Sequence, residues 1–279
     1  GHGAAAGGGP TRHPSRVTGP LAAGERALLL DRKGRRYLVT LVEGGQFHTH
    51  AGWVAHDALI GREEGSVVRS TTGAWYRAVR PTLSDFVLKM PRGAQVIYPK
   101  DLGPILMLAD VFAGARILES GVGSGALSMA LVRAGAVVTG YELRPDFAAR
   151  ARANVASFLG ADALDRFVVH ERDVYEGIAE GGFDRMVLDL PEPWRVVKHA
   201  EAALRPGGIL VAYTPSAIQV SQLRDALAAS AFALAETSEV LVRTWHVEGQ
   251  SVRPDHRMVG HTGFLTSARL VGRDDAPAG

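Results

Sequence analysis

The 279-residue sequence has no cysteine. That absence excludes a disulfide scaffold, a Cys-ligated zinc or iron–sulfur centre and a thiol nucleophile, and it fits a reducing compartment. No apolar run reaches the ~18 residues of a membrane-spanning helix. No basic-then-apolar signal segment is recognisable either, so neither a membrane partner nor a secretory route is expected. Charge is moderate at 22%, and hydrophobic residues make up 46%, which excludes global disorder. At roughly 150 residues per domain, the length suggests about two domains.

The small net charge hides an asymmetry. Residues 1–100 carry 14 Lys/Arg against 7 Asp/Glu, whereas residues 101–279 carry 17 against 22. A basic module joined to an acidic one hints at a polyanionic partner. Residues 1–20 hold six Gly and three Pro and open on Gly1-His2. They read as a disordered tail or cloning remnant. Residues 21–80 read as a small β domain, with short runs such as Arg26–Asp31, Arg36–Val42, Ser66–Arg69 and Trp75–Val79 divided by Gly turns. Residues 81–94 read as a connecting segment, with a helix over Pro81–Lys89 and Pro81 in its first turn.

From residue 95 to 279 the pattern alternates strand and helix. Buried-strand candidates are Arg116–Glu119, Ala136–Glu142, Phe167–His170, Met186–Asp189 and Ile209–Tyr213. Helical spacing separates them, as in Phe147, Ala151, Val155 and Phe158, and Arg205-Pro-Gly-Gly208 reads as a helix stop. Val240–Val247 and Gly263–Leu270 read as a closing hairpin. Such alternation predicts an α/β fold with a doubly wound, Rossmann-like sheet.

Glu119-Ser120-Gly121-Val122-Gly123-Ser124-Gly125-Ala126 lies between a strand and a helix. Glycines there let a backbone approach a ligand and present amides at a helix N-terminus. The spacing suits either a nicotinamide dinucleotide or S-adenosylmethionine. Glu142, at the end of the next strand, stands where a carboxylate accepts hydrogen bonds from ribose hydroxyls. Asp173 and Asp189 end two further strands, so three acids converge on one sheet edge. The Asp189-Leu-Pro-Glu-Pro-Trp194 segment combines an acid, two stiffening prolines and an aromatic ring, a composition suited to holding a base by its amino group.

These motifs, with Phe47-His-Thr-His50, His56–Gly61, Gln95-Val-Ile-Tyr98-Pro-Lys-Asp101 and Val259–Leu265, resemble the tRNA (adenine-N1)-methyltransferase family that acts on adenine 58. The resemblance implies a class I methyltransferase with a seven-stranded sheet and S-adenosylmethionine as cofactor. It implies cofactor contacts from Gln95, Glu119, Ser120, Gly121, Val122, Gly123, Ser124, Gly125, Glu142, Phe147, Asp173, Val174 and Asp189. Asp189 and Tyr98 are the implied catalytic residues, set beside the target base. It further implies tRNA as partner, a homotetramer and a cytoplasmic location. The Asp189 loop departs from the Asp-Pro-Pro-aromatic pattern of base-amino methyltransferases at Leu190 and Glu192. A methyltransferase acting on protein or another RNA, a nicotinamide oxidoreductase and a catalytically silent tRNA-binding subunit are the alternatives. No metal site is expected, because His48, His50 and His56 lack further placed ligands. Arg32, Lys33, Arg35 and Arg36 form a turn that can meet phosphates or solvent. Lys100 is a phosphate candidate or a partner for Asp101, and Trp75 and Tyr76 read as β core.

Overall fold

The computed structural model describes residues 18–93 and 95–271, so residues 1–17 of the tail expected over residues 1–20 lie outside the described residues. Arg80 donates to the carbonyls of Gly19 at 3.0 Å and Pro20 at 3.2 Å, which ties the end of that segment to the β unit. The fold divides into two compact units. One runs through Met90 and includes Val155–Leu164, and the other comprises Pro91–Asn154 and the chain from Asp165 onward.

The first unit is built of β1 (Arg26–Leu30), β2 (Arg36–Thr40), β3 (Gln46–Thr49), β4 (Gly52–Ala55), β5 (Val67–Arg69), β6 (Trp75–Val79) and helix α1 (Leu83–Lys89). Four strands form an antiparallel sheet in the order β2-β1-β6-β5, and β3-β4 is a separate hairpin. The β1–β2 turn is fixed by the Asp31 carboxylate, which accepts from the backbone N–H groups of Lys33 and Arg35 at 2.9 Å each. Leu29, Leu41, Val54, Leu59 and Ala78 are fully buried and form the core with Tyr76. His56 is buried and its Nδ1 accepts from the Val42 N–H at 3.0 Å, which commits it to the fold. Helix α1 starts at Leu83, not Pro81. A capping box settles it: the Thr82 side chain accepts from the Asp85 N–H, and the Asp85 carboxylate accepts from the Thr82 N–H.

The second unit holds α2 (Pro99–Leu108), β7 (Arg116–Ser120), α3 (Ala126–Arg133), β8 (Val137–Tyr141), α4 (Pro145–Leu159, whose last residues group with the first unit), β9 (Phe167–His170), β10 (Phe183–Asp189), α5 (Val197–Ala203), β11 (Leu204–Thr214), α6 (Ala217–Ala228), β12 (Phe232–Glu239), β13 (Trp245–Glu248), β14 (Ser251–Pro254) and β15 (Phe264–Leu270). Seven strands make one mixed sheet in the order β12-β15-β11-β10-β7-β8-β9. Strands β9, β8, β7, β10 and β11 pair in parallel, and β15 runs antiparallel to both its neighbours. The expected seven-stranded Rossmann-like sheet is therefore present. The parallel strands read as continuous apolar runs because they are covered on both faces; Ile117, Leu118, Met186, Leu188 and Val211 are all inaccessible or nearly so.

Two local readings are corrected. The outer neighbour of β15 is Phe232–Glu239, not Val240–Val247. Strand β12 carries Glu236, Thr237, Ser238 and Glu239 on a sheet edge, so its composition conceals it, whereas the apolar Leu241 and Val242 leave the sheet and stand exposed. Arg205–Gly208 does not follow the helix as a simple stop: α5 ends at Ala203, and these residues enter β11, where its pairing with β10 shifts register.

Candidate active site

The chain order reverses at β7, which lies between β8 and β10. In open α/β sheets, ligands bind outside the carboxyl ends of the strands at this point. Here the β7 end leads into Gly121, whose φ is +80° and whose missing side chain leaves room for the Asp189 backbone at the end of β10. The loop then enters α3 at Ala126. Gln95, Val96 and Ile97 join Gly121–Ser124, Ala126, Leu127 and Asp189 around a narrow cleft of about 270 Å³, its mouth included. Gln95, Gly121, Val122, Gly123, Ser124 and Asp189, all singled out in the sequence, thus share one site.

Three acids surround it. The Glu142 carboxylate is aimed by two backbone amides: Oε1 accepts from Gly123 at 3.0 Å and Oε2 from Arg144 at 3.2 Å. Glu119 is buried behind the loop, where its Oε2 accepts from Ser128 Oγ at 2.7 Å and its Oε1 has no partner. Burial first, and the charges of Asp189 and Glu142 next, push Glu119 up to about 8. Asp189 is also pushed up, to about 7, by loss of solvation and by the facing Glu142 charge. Carboxyl groups with such raised affinity for protons in a cleft mark a site for a cationic or amino-bearing ligand.

The Asp189–Trp194 loop is held from two sides that sequence reading did not single out. Tyr175 Oη accepts from the Glu192 N–H at 3.1 Å, and Gln219 Nε2 donates to the Pro191 carbonyl at 2.8 Å. Arg195 lies 4.2 Å over the Tyr175 ring. Neither tether has a local signal, since each pairs residues far apart in sequence.

The other site candidates occupy varied surroundings. Ser120 is buried and donates from Oγ to the Tyr141 carbonyl at 3.2 Å. Asp173 caps the short turn that follows it by accepting from the Tyr175 N–H at 2.9 Å, while the Val174 side chain is packed in the core. Phe147 lies under the Arg144 guanidinium at 4.0 Å. Tyr98 is 43% exposed and begins α2. Lys100 is paired rather than free for phosphate. Its Nζ donates to both oxygens of the fully buried Asp101 at 3.0 Å, to Thr262 Oγ1 at 2.6 Å and to the Val240 carbonyl at 2.7 Å.

Comparison with known proteins bears directly on this cleft. Residues 74–253 match the family model described as tRNA methyltransferase complex GCD14 subunit, and residues 19–68 match the TrmI-like N-terminal model. The tRNA (adenine(58)-N(1))-methyltransferase TrmI of Thermus thermophilus is 42% identical over 245 residues, 87% of this chain and 95% of that protein. The chain belongs to the TrmI family of tRNA (adenine-N1)-methyltransferases. The Methanocaldococcus jannaschii relative, a tRNA (adenine(57)-N(1)/adenine(58)-N(1))-methyltransferase, is 36% identical and covers 87% of this chain and 94% of its own length. Among solved structures, a SAM-dependent O-methyltransferase from Thermotoga maritima superposes with a TM-score of 0.87 at 32% identity, over 94% of this chain and 98% of its own. The tRNA (m1A58) methyltransferase TrmI of Aquifex aeolicus superposes with a TM-score of 0.79 at 27% identity, over 91% and 100%. A TrmI-family fold with a Gly loop and a carboxylate on one cleft is a methyltransferase fold, and S-adenosylmethionine is its methyl donor.

Proposed function

We infer that the chain transfers a methyl group from S-adenosylmethionine to N1 of adenine 58 in tRNA. One observation carries the reading: the Gly121–Gly125 loop and the Asp189 loop, the two motifs of the family resemblance, touch backbone to backbone and line one cleft. The cleft also fits the cofactor by its chemistry. Acids without basic partners suit a sulfonium, an amine and ribose hydroxyls, and the unpartnered Glu119 Oε1 is a polar atom left for a ligand beneath the loop. In this reading Glu119–Gly125, Gln95, Glu142, Phe147, Asp173 and Val174 hold the cofactor. When bound, it supplies an electrophilic methyl group on positively charged sulfur.

The chain's own task is then placement. Adenine N1 has a free lone pair at neutral pH, so no strong base is required. Asp189, as carboxylate, accepts from the exocyclic amino group, orients N1 and stabilises the positive charge that develops on the base. Tyr98 flanks the adenine. Tyr175 and Gln219 keep the Asp189 loop from yielding. N1 is buried by pairing in folded RNA, so the base is extruded or taken from an opened loop.

The homotetramer follows from the family resemblance, and exposed Trp245, Val247 and Val252 on the β13–β14 hairpin, with Leu241, Val242 and Val259, offer apolar surface for contact between copies. A tRNA substrate supports RNA binding and a cytoplasmic location. Among the described residues, no helix is long and apolar enough to cross a membrane.

The test is incubation with labelled S-adenosylmethionine and unmodified tRNA, beside a transcript lacking adenine 58, followed by nucleoside digestion. Labelled 1-methyladenosine from the first transcript alone is expected. Label on protein, on a ribose oxygen or on neither transcript overturns the assignment, and light scattering of the same sample reads the assembly.

A further inference from the structure

We propose that the N-terminal β unit carries a second RNA site, a cleft that takes one phosphodiester and one unpaired base of the tRNA; this rests on the tRNA assignment above. Three turns meet there. Asp31–Arg35 between β1 and β2, His50 and Ala51 between β3 and β4, and Thr72–Ala74 between β5 and β6 line an opening of about 390 Å³ with Trp75 and Tyr76. That volume lies within the ~300–1,000 Å³ of small-ligand sites.

Its charge is arranged for an anion. Asp31 is the acid in the lining, and Arg35 already holds it at 2.6 Å. Among the described residues, Arg32 and Lys33 have no carboxylate within ion-pair distance, and both are exposed. Elsewhere in the unit Arg36 pairs with Asp85, and Arg80 with Glu25 and Glu64. Arg32 and Lys33, adjacent in one turn, place two cations without a carboxylate partner at the cleft.

Its aromatic wall is arranged for a base. Strand β6 alternates, so buried Tyr76 faces the core and Trp75 faces the other way. The sequence places Trp75 in the β core, whereas the structure leaves it half-buried on the cleft. The Arg32 and Arg77 guanidinium carbons lie 5.6 Å and 5.9 Å from its ring centroid. A ring flanked by guanidiniums is a stacking platform for a planar base, with cations at hand for its phosphate. An acidic peptide would answer the charge but not this platform.

The full-length protein with Arg32→Ala/Lys33→Ala, and separately with Trp75→Ala and Trp75→Phe, tests the site with unmodified tRNA between 50 and 200 mM salt. The double variant should raise Kd and KM for tRNA about tenfold. It should also flatten the slope of log K against log salt by about 0.7–0.9, the contribution of the one phosphate that the cleft neutralises. The effect sits in KM rather than kcat, and S-adenosylhomocysteine affinity stays as in the wild type. Trp75→Ala should weaken tRNA binding about tenfold and Trp75→Phe far less, since a phenyl ring still stacks; that rescue separates stacking from damage to the fold. An unchanged KM and salt slope, with normal wild-type turnover, overturns the site. Displacement of tRNA from the wild type by polyglutamate, but not by single-stranded RNA, overturns RNA as its occupant. A wild-type enzyme that binds no tRNA overturns the substrate assignment together with the site.

Discussion

The Asp189 carbonyl oxygen stands where a side chain on Gly121 would begin: a Cβ added to Gly121 would lie 1.9 Å from it. The loop assigned to the cofactor and the loop assigned to the base are therefore registered against each other by main chain. Gly121→Ala must displace both, and at φ +80° it adds backbone strain of about 1–2 kcal/mol. S-adenosylhomocysteine binding and methyl transfer should fall together, with a drop in Tm. Gly123→Ala is the contrast, because nothing lies within 4 Å of its Cβ. It should weaken cofactor binding with a smaller change in Tm. Calorimetry and thermal melts on the pair read this, and a Gly121→Ala enzyme with wild-type kcat would sink the coupling.

Asp189 ties activity to pH. Its carboxyl is pushed up to about 7, mainly by burial and then by Glu142, so the charged acceptor forms only as pH rises through 7. kcat/KM should climb across that range in the wild type, and Asp189→Asn should lower it by roughly 10²–10³ and lose the climb. Stability runs the other way. A carboxyl whose folded value exceeds its unfolded one binds its proton more tightly when folded, so its contribution is greatest below the unfolded value. It is lost as pH rises toward about 7. The Tm of Asp189→Asn relative to wild type should therefore be higher at pH 8 than at pH 5. A wild-type profile flat from 6 to 8 would remove Asp189 as the titrating acceptor.

What sequence could and could not disclose follows from range. The Gly121–Gly125 loop and Asp189 are legible because strand, glycine spacing and strand-end acid are local signals. The parallel strands are legible because double burial makes them continuously apolar. Strand β12 is hidden because an edge strand carrying Glu236 and Glu239 lacks that signature, and the exposed Leu241 and Val242 counterfeit it. Hairpin β3–β4 is hidden by its length, four residues on each side. Tyr175, Gln219 and the partners of Lys100 act through contacts between distant parts of the chain, which no local pattern encodes. Trp75 has the strand alternation of its neighbours but the opposite face.

The tethers of the Asp189 loop should govern rate rather than cofactor affinity. Gln219 holds the Pro191 carbonyl, and Ser216 Oγ donates to Gln219 Oε1 at 2.7 Å, which fixes the amide's orientation. Tyr175 holds the Glu192 N–H. Gln219→Ala and Tyr175→Phe should each lower kcat several-fold, since a base misplaced by even about 1 Å can cost up to 10². S-adenosylhomocysteine affinity should change little. Equal losses in affinity and kcat would show instead that the whole cleft had been disturbed.

Asp101 is fully buried, and Lys100 is the cation that meets both of its oxygens, with Thr262 Oγ1 donating to Oδ2 at 2.8 Å. Removing one member of such a pair strands a buried charge, at about 3–5 kcal/mol, whereas replacing both by apolar groups costs far less. Lys100→Met should destabilise strongly, and Lys100→Met/Asp101→Leu should recover most of the loss in urea unfolding. The pair also joins the start of α2 to Val240 and Thr262, so the single variant should loosen those segments in hydrogen exchange. A double variant no more stable than the single one would contradict a desolvation origin.

His261 offers a second pH dependence of stability, of the same sense as that of Asp189. Both ring nitrogens face acceptors: Nε2 meets the Pro215 carbonyl at 2.6 Å and Nδ1 meets Glu239 Oε2 at 2.8 Å. Only the imidazolium donates from both. The Pro215 carbonyl first, then Glu239, raises its proton affinity above the ordinary value near 6.5, while Lys100 opposes them. Phe264 packs against the ring at 4.8 Å. The stability that this clamp lends to the start of β15 is fully present below the unfolded value and is lost as pH rises through the higher folded one. Its ring nitrogens, followed by NMR, should therefore titrate above 6.5, and Glu239→Gln should lower the midpoint. His261→Gln should abolish the extra protection of the neighbouring amides at pH 6 but change little at pH 9. A His261 midpoint below 6.5 would mean that one nitrogen is unprotonated and that the clamp is a single hydrogen bond.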